Sequence, residues 1–186
     1  MEESFELEQT SPVSDGVKTG VIIGFINIVI SVLLYVIDPT MMGSLGVSLG
    51  ILVLNLVLLI VMGIKYRKSV GGYLSYGKAF THGFVTLLVS GLIGVIFSIL
   101  LFTVIDPDLP ALIIENTIER TSEMMVKFGA PESSIDEAIA QMEKDMPPKF
   151  TAGGQLIQFA WSIIVFGIVA LLSALIVKKN EPIENF

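Results

Sequence analysis

The chain contains no cysteine, which excludes disulfides and thiolate metal sites and leaves the redox compartment unreadable. It contains a single histidine, so no paired-histidine zinc motif exists, and no glycine loop carries a phosphate-binding lysine. These absences remove the usual catalytic constellations. The expectation is a protein that is not an enzyme, with no cofactor, no bound metal and no catalytic residue. Lysine and arginine are missing from the first fifteen positions, which carry Glu2, Glu3, Glu6, Glu8 and Asp15. A cleavable signal peptide opens with a basic region, so the first apolar stretch is expected to remain in the mature chain. A formal net charge of −7 argues against nucleic acid as a partner.

Charge of either sign is also missing from four long blocks, Thr19 to Ile37, Met41 to Ile64, Ala79 to Ile105 and Phe150 to Val177. Each reaches the roughly 18 uncharged, mostly apolar residues that mark a membrane-spanning helix. One central charge costs about 2.5 to 3.5 kcal/mol, against about 0.3 to 0.6 gained per Leu, Ile, Val or Phe. The blocks contain no charge to offset. A soluble bundle would show amphipathic stripes, whereas these segments are apolar around most of their circumference. The predicted fold is all-α: one membrane domain over 1–186 with spans at about 17–37, 45–64, 79–105 and 155–177. An extracytoplasmic helical hairpin at about 107–148 is inserted between the third and fourth spans.

The basic residues that are present fix the orientation. Lys65, Arg67, Lys68 and Lys78 lie between the second and third spans, and Lys178 and Lys179 come just after the fourth, while "DPTMMG" after the first has no basic residue. By the positive-inside rule both termini and the central loop are cytoplasmic. "KYRK" at Lys65 to Lys68 reads as a topology anchor with Tyr66 at headgroup level.

The tetrapeptide "VIDP" closes the first span at Val36 to Pro39 and the third at Val104 to Pro107. Proline drives the preceding residue out of the α region, so Asp38 and Asp106 should end their helices and each cap the next segment. The likeness extends inward, "SVLLYVIDP" matching "SILLFTVIDP" with one inserted residue. It suggests a parallel duplication of a two-helix hairpin, or convergence on a good terminator.

Between Asp106 and Lys149, Ile114, Ile118, Thr121, Met125 and Phe128 recur at helical spacing over about Leu109 to Phe128. Gly129 should cap that helix and Pro131 stop it. A capping box, Ser134-x-x-Glu137, should open a second helix with Ile135, Ala138, Ile139, Met142 and Met146 on one side, ended by Pro147 and Pro148. Met124, Met125, Met142 and Met146 read as core filling of this hairpin, since no His or Cys accompanies them as metal ligands.

Small and polar residues recur within the spans. Gly16, Gly20, Gly24, Asn27 and Ser31 lie on one side of the first, and Thr86, Ser90, Gly94 and Ser98 on one side of the third. Helices in lipid associate by close packing and polar contacts, so these stripes read as the internal packing seam, or alternatively as a dimer surface. Asn27 and Asn55 should hydrogen-bond across the bundle. His82 is the one titratable side chain within a span, a satisfied interfacial histidine or a functional group. With Asn27 and Asn55 it is a candidate for any solute pathway.

"RKSVGGYLSYGKAFTHGF" (Arg67 to Phe84) resembles the most recognisable stretch of an uncharacterised Bacteroidota inner-membrane family, domain of unknown function 4199. "DPDLPALIIENTIERTSEMMVKFGAPESSIDEAIAQME" is similar to that family's helical insert, and the resemblance runs from about Val17 to Lys179. It implies four spans and a bacterial inner-membrane location, and brings no catalytic residues. The functional expectation is a non-enzymatic scaffold or accessory subunit, in contact with membrane lipid and with a protein partner through the outer hairpin, or as a homo-oligomer. The alternative is a small oligomeric transporter or channel. A lipid-acting enzyme would need carboxylates or His82 to converge near a headgroup pocket.

Overall fold

Apolar sequence becomes helix where water is absent, because each backbone N–H and C=O must then find its partner within the segment. The computed structural model describes residues 11–181. In chain order it holds α1 (Pro12–Ile37), a 3-10 turn (Pro39–Gly43), α2 (Leu45–Ser69) and α3 (Tyr76–Leu100), which continues as a π-helical turn (Leu101–Ile105). Then come α4 (Leu109–Lys127), α5 (Glu132–Asp145), the single turn α6 (Pro147–Phe150) and α7 (Ala152–Val177). The fold is all-α, and α1, α2, α3 with its π turn, and α7 are each long and apolar enough to cross a membrane. Only 11–22% of each span's most apolar window is buried inside the protein. The outward faces carry large apolar side chains such as Phe25, Leu52, Trp161 and Ile176. A surface this apolar is incompatible with water and matches lipid.

The central helix is α3. Gly16, Gly20 and Gly24 of α1 meet Val85, Val89 and Ile93 of α3 in turn, so the two helices run parallel. A Cβ on Gly20 would lie 2.7 Å from the Cβ of Val89 and 2.8 Å from the carbonyl of Thr86. On its other side α3 receives α7 antiparallel, Gly83 beside Ser173 and Ala170 and Gly91 beside the ring of Phe166. Helix α2 is held less closely. Its buried residues, Leu59, Gly63 and Tyr66, all lie in its C-terminal half, where Gly63 faces Val177 of α7. Leu45, Leu49, Leu52 and Val53 in its first half are more than half exposed.

The two "VIDP" segments end their helices on equivalent leucines. The N–H of Asp38 donates to the carbonyl of Leu34 at 2.9 Å, and that of Asp106 to Leu101 at 2.9 Å. The second segment contains one residue more, and the π turn absorbs it, as π-bulges do for single insertions. Asp38 is the N-cap of the 3-10 turn, whereas the N-cap of α4 is Asp108 and Asp106 only accepts from that helix's first N–H. Asp38 accepts from the N–H of Thr40 at 2.9 Å and its hydroxyl at 2.7 Å, which hold its carboxyl below the usual carboxylate range, with a smaller contribution from Arg120. Asp106 accepts from the N–H of Leu109 at 3.1 Å and from the Tyr35 hydroxyl at 3.0 Å, tying the end of α1 to that of α3. After Asp38 the chain makes a 3-10 turn rather than entering α2 directly.

The segment between α3 and α7 folds back on the ends of the spans. Leu109 and Ile113 are buried with Leu101, and Tyr35, Met42, Phe97, Phe102 and Phe150 pack around them. Gly43 lets α4 come close to the 3-10 turn, since a Cβ there would sit 2.6 Å from the Thr117 hydroxyl. Gly129, at φ 74°, ends α4 in the left-handed conformation. Three local expectations fail, the first being Met124, read as hairpin core but 45% exposed and turned towards the start of α2. The capping box does not form, because α5 starts earlier, at Glu132, with Pro131 at its N-cap. Proline's fixed φ already sets the entry geometry. Phe128, expected on the packed face, is 84% exposed because it lies just past the last turn of α4.

The α1–α3 contact gives a direct test. Gly20→Leu should lower stability by about 1–3 kcal/mol, the usual cost of overpacking, in thermal unfolding in detergent. Gly50→Ala, where a Cβ meets nothing within 4 Å, should melt like the parent. Equal melting of the two variants would remove the seam from the account.

Candidate functional site

Three groups of polar side chains lie among the spans. The first is at the end opposite the hairpin. The stretch "SVGGY" turns α2 into α3 with Gly71 at φ 96° and Gly72 at φ 85°, a conformation that side chains resist. Leu74 is thereby buried, and it pairs with Lys179 through hydrogen bonds of 2.8 and 3.0 Å. The Arg67 guanidinium donates to the carbonyl of Val177 at 2.8 Å, satisfying an orphan acceptor of the last turn of α7. The lysines just after α7 lie over Tyr76 and Tyr73 at 5.8 and 5.3 Å.

Directly beneath lies His82, 1% exposed. Its ring stacks on Tyr66, with centroids 4.8 Å apart and planes within 4°. Its Nε2 has no hydrogen-bond partner among the described residues; the nearest carboxylate oxygen, Oδ2 of Asp15, is 3.8 Å away. That is an ion-pair distance, beyond hydrogen-bond range. Sequence reasoning assigned His82 no carboxylate within a span. The structure supplies one because α1 starts at Pro12 rather than near Val17, which places Asp15 on the helix beside Gly16. The signal was legible in Asp15, Thr19 and Ile23 at helical spacing, since Thr19 and Ile23 are buried. Among the described residues no third His, Cys, Asp or Glu joins the pair to form a metal site.

The second group is the expected seam. Gly16, Gly20 and Gly24 lie in it. The Thr86 hydroxyl donates to the carbonyl of His82 at 2.8 Å and reaches that of Gly16 at 3.3 Å. Ser90 is buried and donates to the carbonyl of Leu87 at 3.1 Å. Ser98 faces the other way and bonds Gln155 of α7 at 3.2 Å, a contact with no periodic signal in the sequence. Ser31 is half-buried on α1. A Cβ on Gly94 would meet nothing within 4 Å, so this glycine packs against no helix.

The third group is Asn27 with Asn55. Each amide donates to the other's carbonyl oxygen, at 2.9 and 3.1 Å, and Asn55 also donates to the carbonyl of Ile51 at 2.8 Å. The pair is the main polar contact between α1 and α2. Asn27, Asn55 and His82 are therefore not brought to one place. Asn27 and Asn55 meet at mid-span, while His82 lies one end away with Asp15 and Tyr66.

The reciprocal geometry predicts strong coupling. Asn27→Leu and Asn55→Leu should each destabilise, and the double variant should lose less than the sum by about 0.6–1.7 kcal/mol, in a double-mutant cycle by thermal unfolding in detergent. Strict additivity would mean that the amides do not bond each other. No curated protein and no solved structure matches the chain. A family model does, described as "Protein of unknown function (DUF4199)", and its match covers residues 18–179, so the chain belongs to that family.

Proposed function

We propose that the protein is a non-enzymatic scaffold or accessory subunit of a bacterial inner membrane, with the α4–α5 hairpin on the extracytoplasmic side as its partner-binding part. The orientation rests on charge. Lys18, Lys65, Arg67, Lys68, Lys78, Lys178 and Lys179 all lie at the end opposite the hairpin, which the positive-inside rule makes cytoplasmic. Both termini then face the cytoplasm.

The observation that carries the reading is a cleft of about 620 Å3 between α4 and α5. Ile114, Ile118 and Ile139 form its apolar floor, and Glu115, Glu119 and Glu143 its rim. An apolar centre with a charged border is the usual build of a protein-binding surface. The hairpin is also rooted, through Leu109 and Ile113, so it presents this cleft in a fixed place. The transporter alternative draws less support. Asn27 and Asn55 spend their hydrogen bonds on each other, and the α1–α3 seam leaves no room for even a methyl group at Gly20.

Two experiments test this. Reporters fused to the two ends should both register as cytoplasmic, and opposite sides would refute the four-span topology. Affinity purification after gentle solubilisation should recover a stoichiometric partner that is lost from the Ile118→Lys/Ile139→Lys variant. Associations identical in parent and variant would reject the cleft as the binding surface.

A further inference from the structure

Helix α4 has a second face. Arg120, Met124, Lys127 and Phe128 turn away from α5 towards the start of α2, where with Ser44 and Ser48 they border a cleft of about 640 Å3. Beneath it runs another cavity, of about 440 Å3, between α2 and α7 and floored by α3. Ser48 lines both, so the polar cleft and the apolar slot adjoin along the first turn of α2. At the far end of α2, past the slot, Gly63 touches Val177 of α7.

The slot has the dimensions of one leaflet. Its α2 wall runs from Ser48 to Leu59, about 16 Å at 1.5 Å per residue, against about 30 Å for the whole hydrocarbon core. Its walls are mainly apolar, among them Leu52, Leu56, Val165 and Phe166. The polar groups it contains are already engaged: Asn27 with Asn55, and Ser90 with the carbonyl of Leu87. Few polar groups thus face the slot and most are bonded within the protein, which favours a hydrocarbon chain over an ion or polar solute. Gly94 keeps the floor open.

The cleft above has the matching chemistry. Arg120 and Lys127 make no hydrogen bond or ion pair with any described residue. Arginine with a second cation is the usual receptor for a phosphate. Glu123 lines the same cleft and Asp38 lies within the field of Arg120. The site therefore pairs two cations with nearby carboxylate, which suits a headgroup bearing both a phosphate and an ammonium.

We infer that this composite cavity binds one aminophospholipid from the leaflet on the hairpin side. The phosphate sits between Arg120 and Lys127, the ammonium lies towards Glu123, and one acyl chain runs down the slot to Leu59. The occupant is set by the shared wall at Ser48, which places a charged receptor next to a chain-deep apolar groove.

Native mass spectrometry of the full chain, released from nanodiscs of mixed phosphatidylethanolamine and phosphatidylglycerol, tests the site. One phosphatidylethanolamine per chain should be retained. Gly94→Leu, which fills the slot, and Arg120→Gln/Lys127→Gln, which strips the receptor, should each lower retention at least tenfold. Lys144→Gln, on the exposed side of α5, should not. The Arg120 and Lys127 changes lie outside the spans, so an unchanged melting temperature shows that the loss is not misfolding. A lipid-free parent, or lipid retained equally by all variants, overturns the inference. So does preferential retention of phosphatidylglycerol, which contradicts the ammonium assignment, or a dimer mass that Gly94→Leu abolishes, which would make the slot the seat of a second copy.

Discussion

The close approach of α1 to α3 is the constraint on which the remaining structure depends. In lipid there is no hydrophobic gain from bringing two apolar helices together, so contact must come from surfaces that fit more closely with each other than with acyl chains. Gly16, Gly20 and Gly24 provide that fit by removing the side chains that would hold the backbones apart. The parallel direction of the pair then brings both "VIDP" ends to the same level, where Tyr35 of one helix bonds Asp106 of the other. That bond sets the platform on which α4 lands, because Asp106 also accepts from the N–H of Leu109, the first residue of α4.

The bundle is unevenly packed for the same reason. Helix α7 repeats the device against the opposite side of α3, with Gly83 and Gly91. Helix α2 is held instead by Gly63, Tyr66 and Arg67 near its end and by the Asn27–Asn55 pair at mid-span. Its glycines at Gly46 and Gly50 face little or nothing. Along the rest of its length, on both sides of Asn55, the gap beside it is the slot floored by Gly94. The packing of three helices and the looseness of the fourth thus result from where the small residues stand.

Much of this was legible in the sequence because the relevant signals are strong and local. A charge-free run long enough to cross a bilayer has few competing explanations, and Gly129 before Pro131 marks a turn whatever surrounds it. Other features were hidden because they depend on partners distant in the chain. Asp15 read as one more charge in an acidic leader, until the start of α1 at Pro12 placed it beside His82. Gln155 carried no periodicity that pointed to Ser98. Gly94 shares the spacing of the seam yet stands over open space, since spacing records which side of a helix a residue occupies and not what faces it. The box at Ser134 lost to Pro131, whose locked φ starts the helix earlier at no side-chain cost.

The inserted residue in the second "VIDP" segment links these levels. A helix that gains one residue must either rotate everything beyond it by about 100° or absorb the excess within a single wider turn. Here the π turn at Leu101–Ile105 absorbs it, so Asp106 keeps the position relative to α3 that Asp38 keeps relative to α1. Had the rotation propagated, Asp106 would have turned away from Tyr35, and Leu109 and Ile113 would have lost the buried site beside Leu101. The bulge therefore preserves the register on which the hairpin's placement depends. Since one side of α4 packs on the span ends and the other on α5, that register also decides which residues of α4 face each of them.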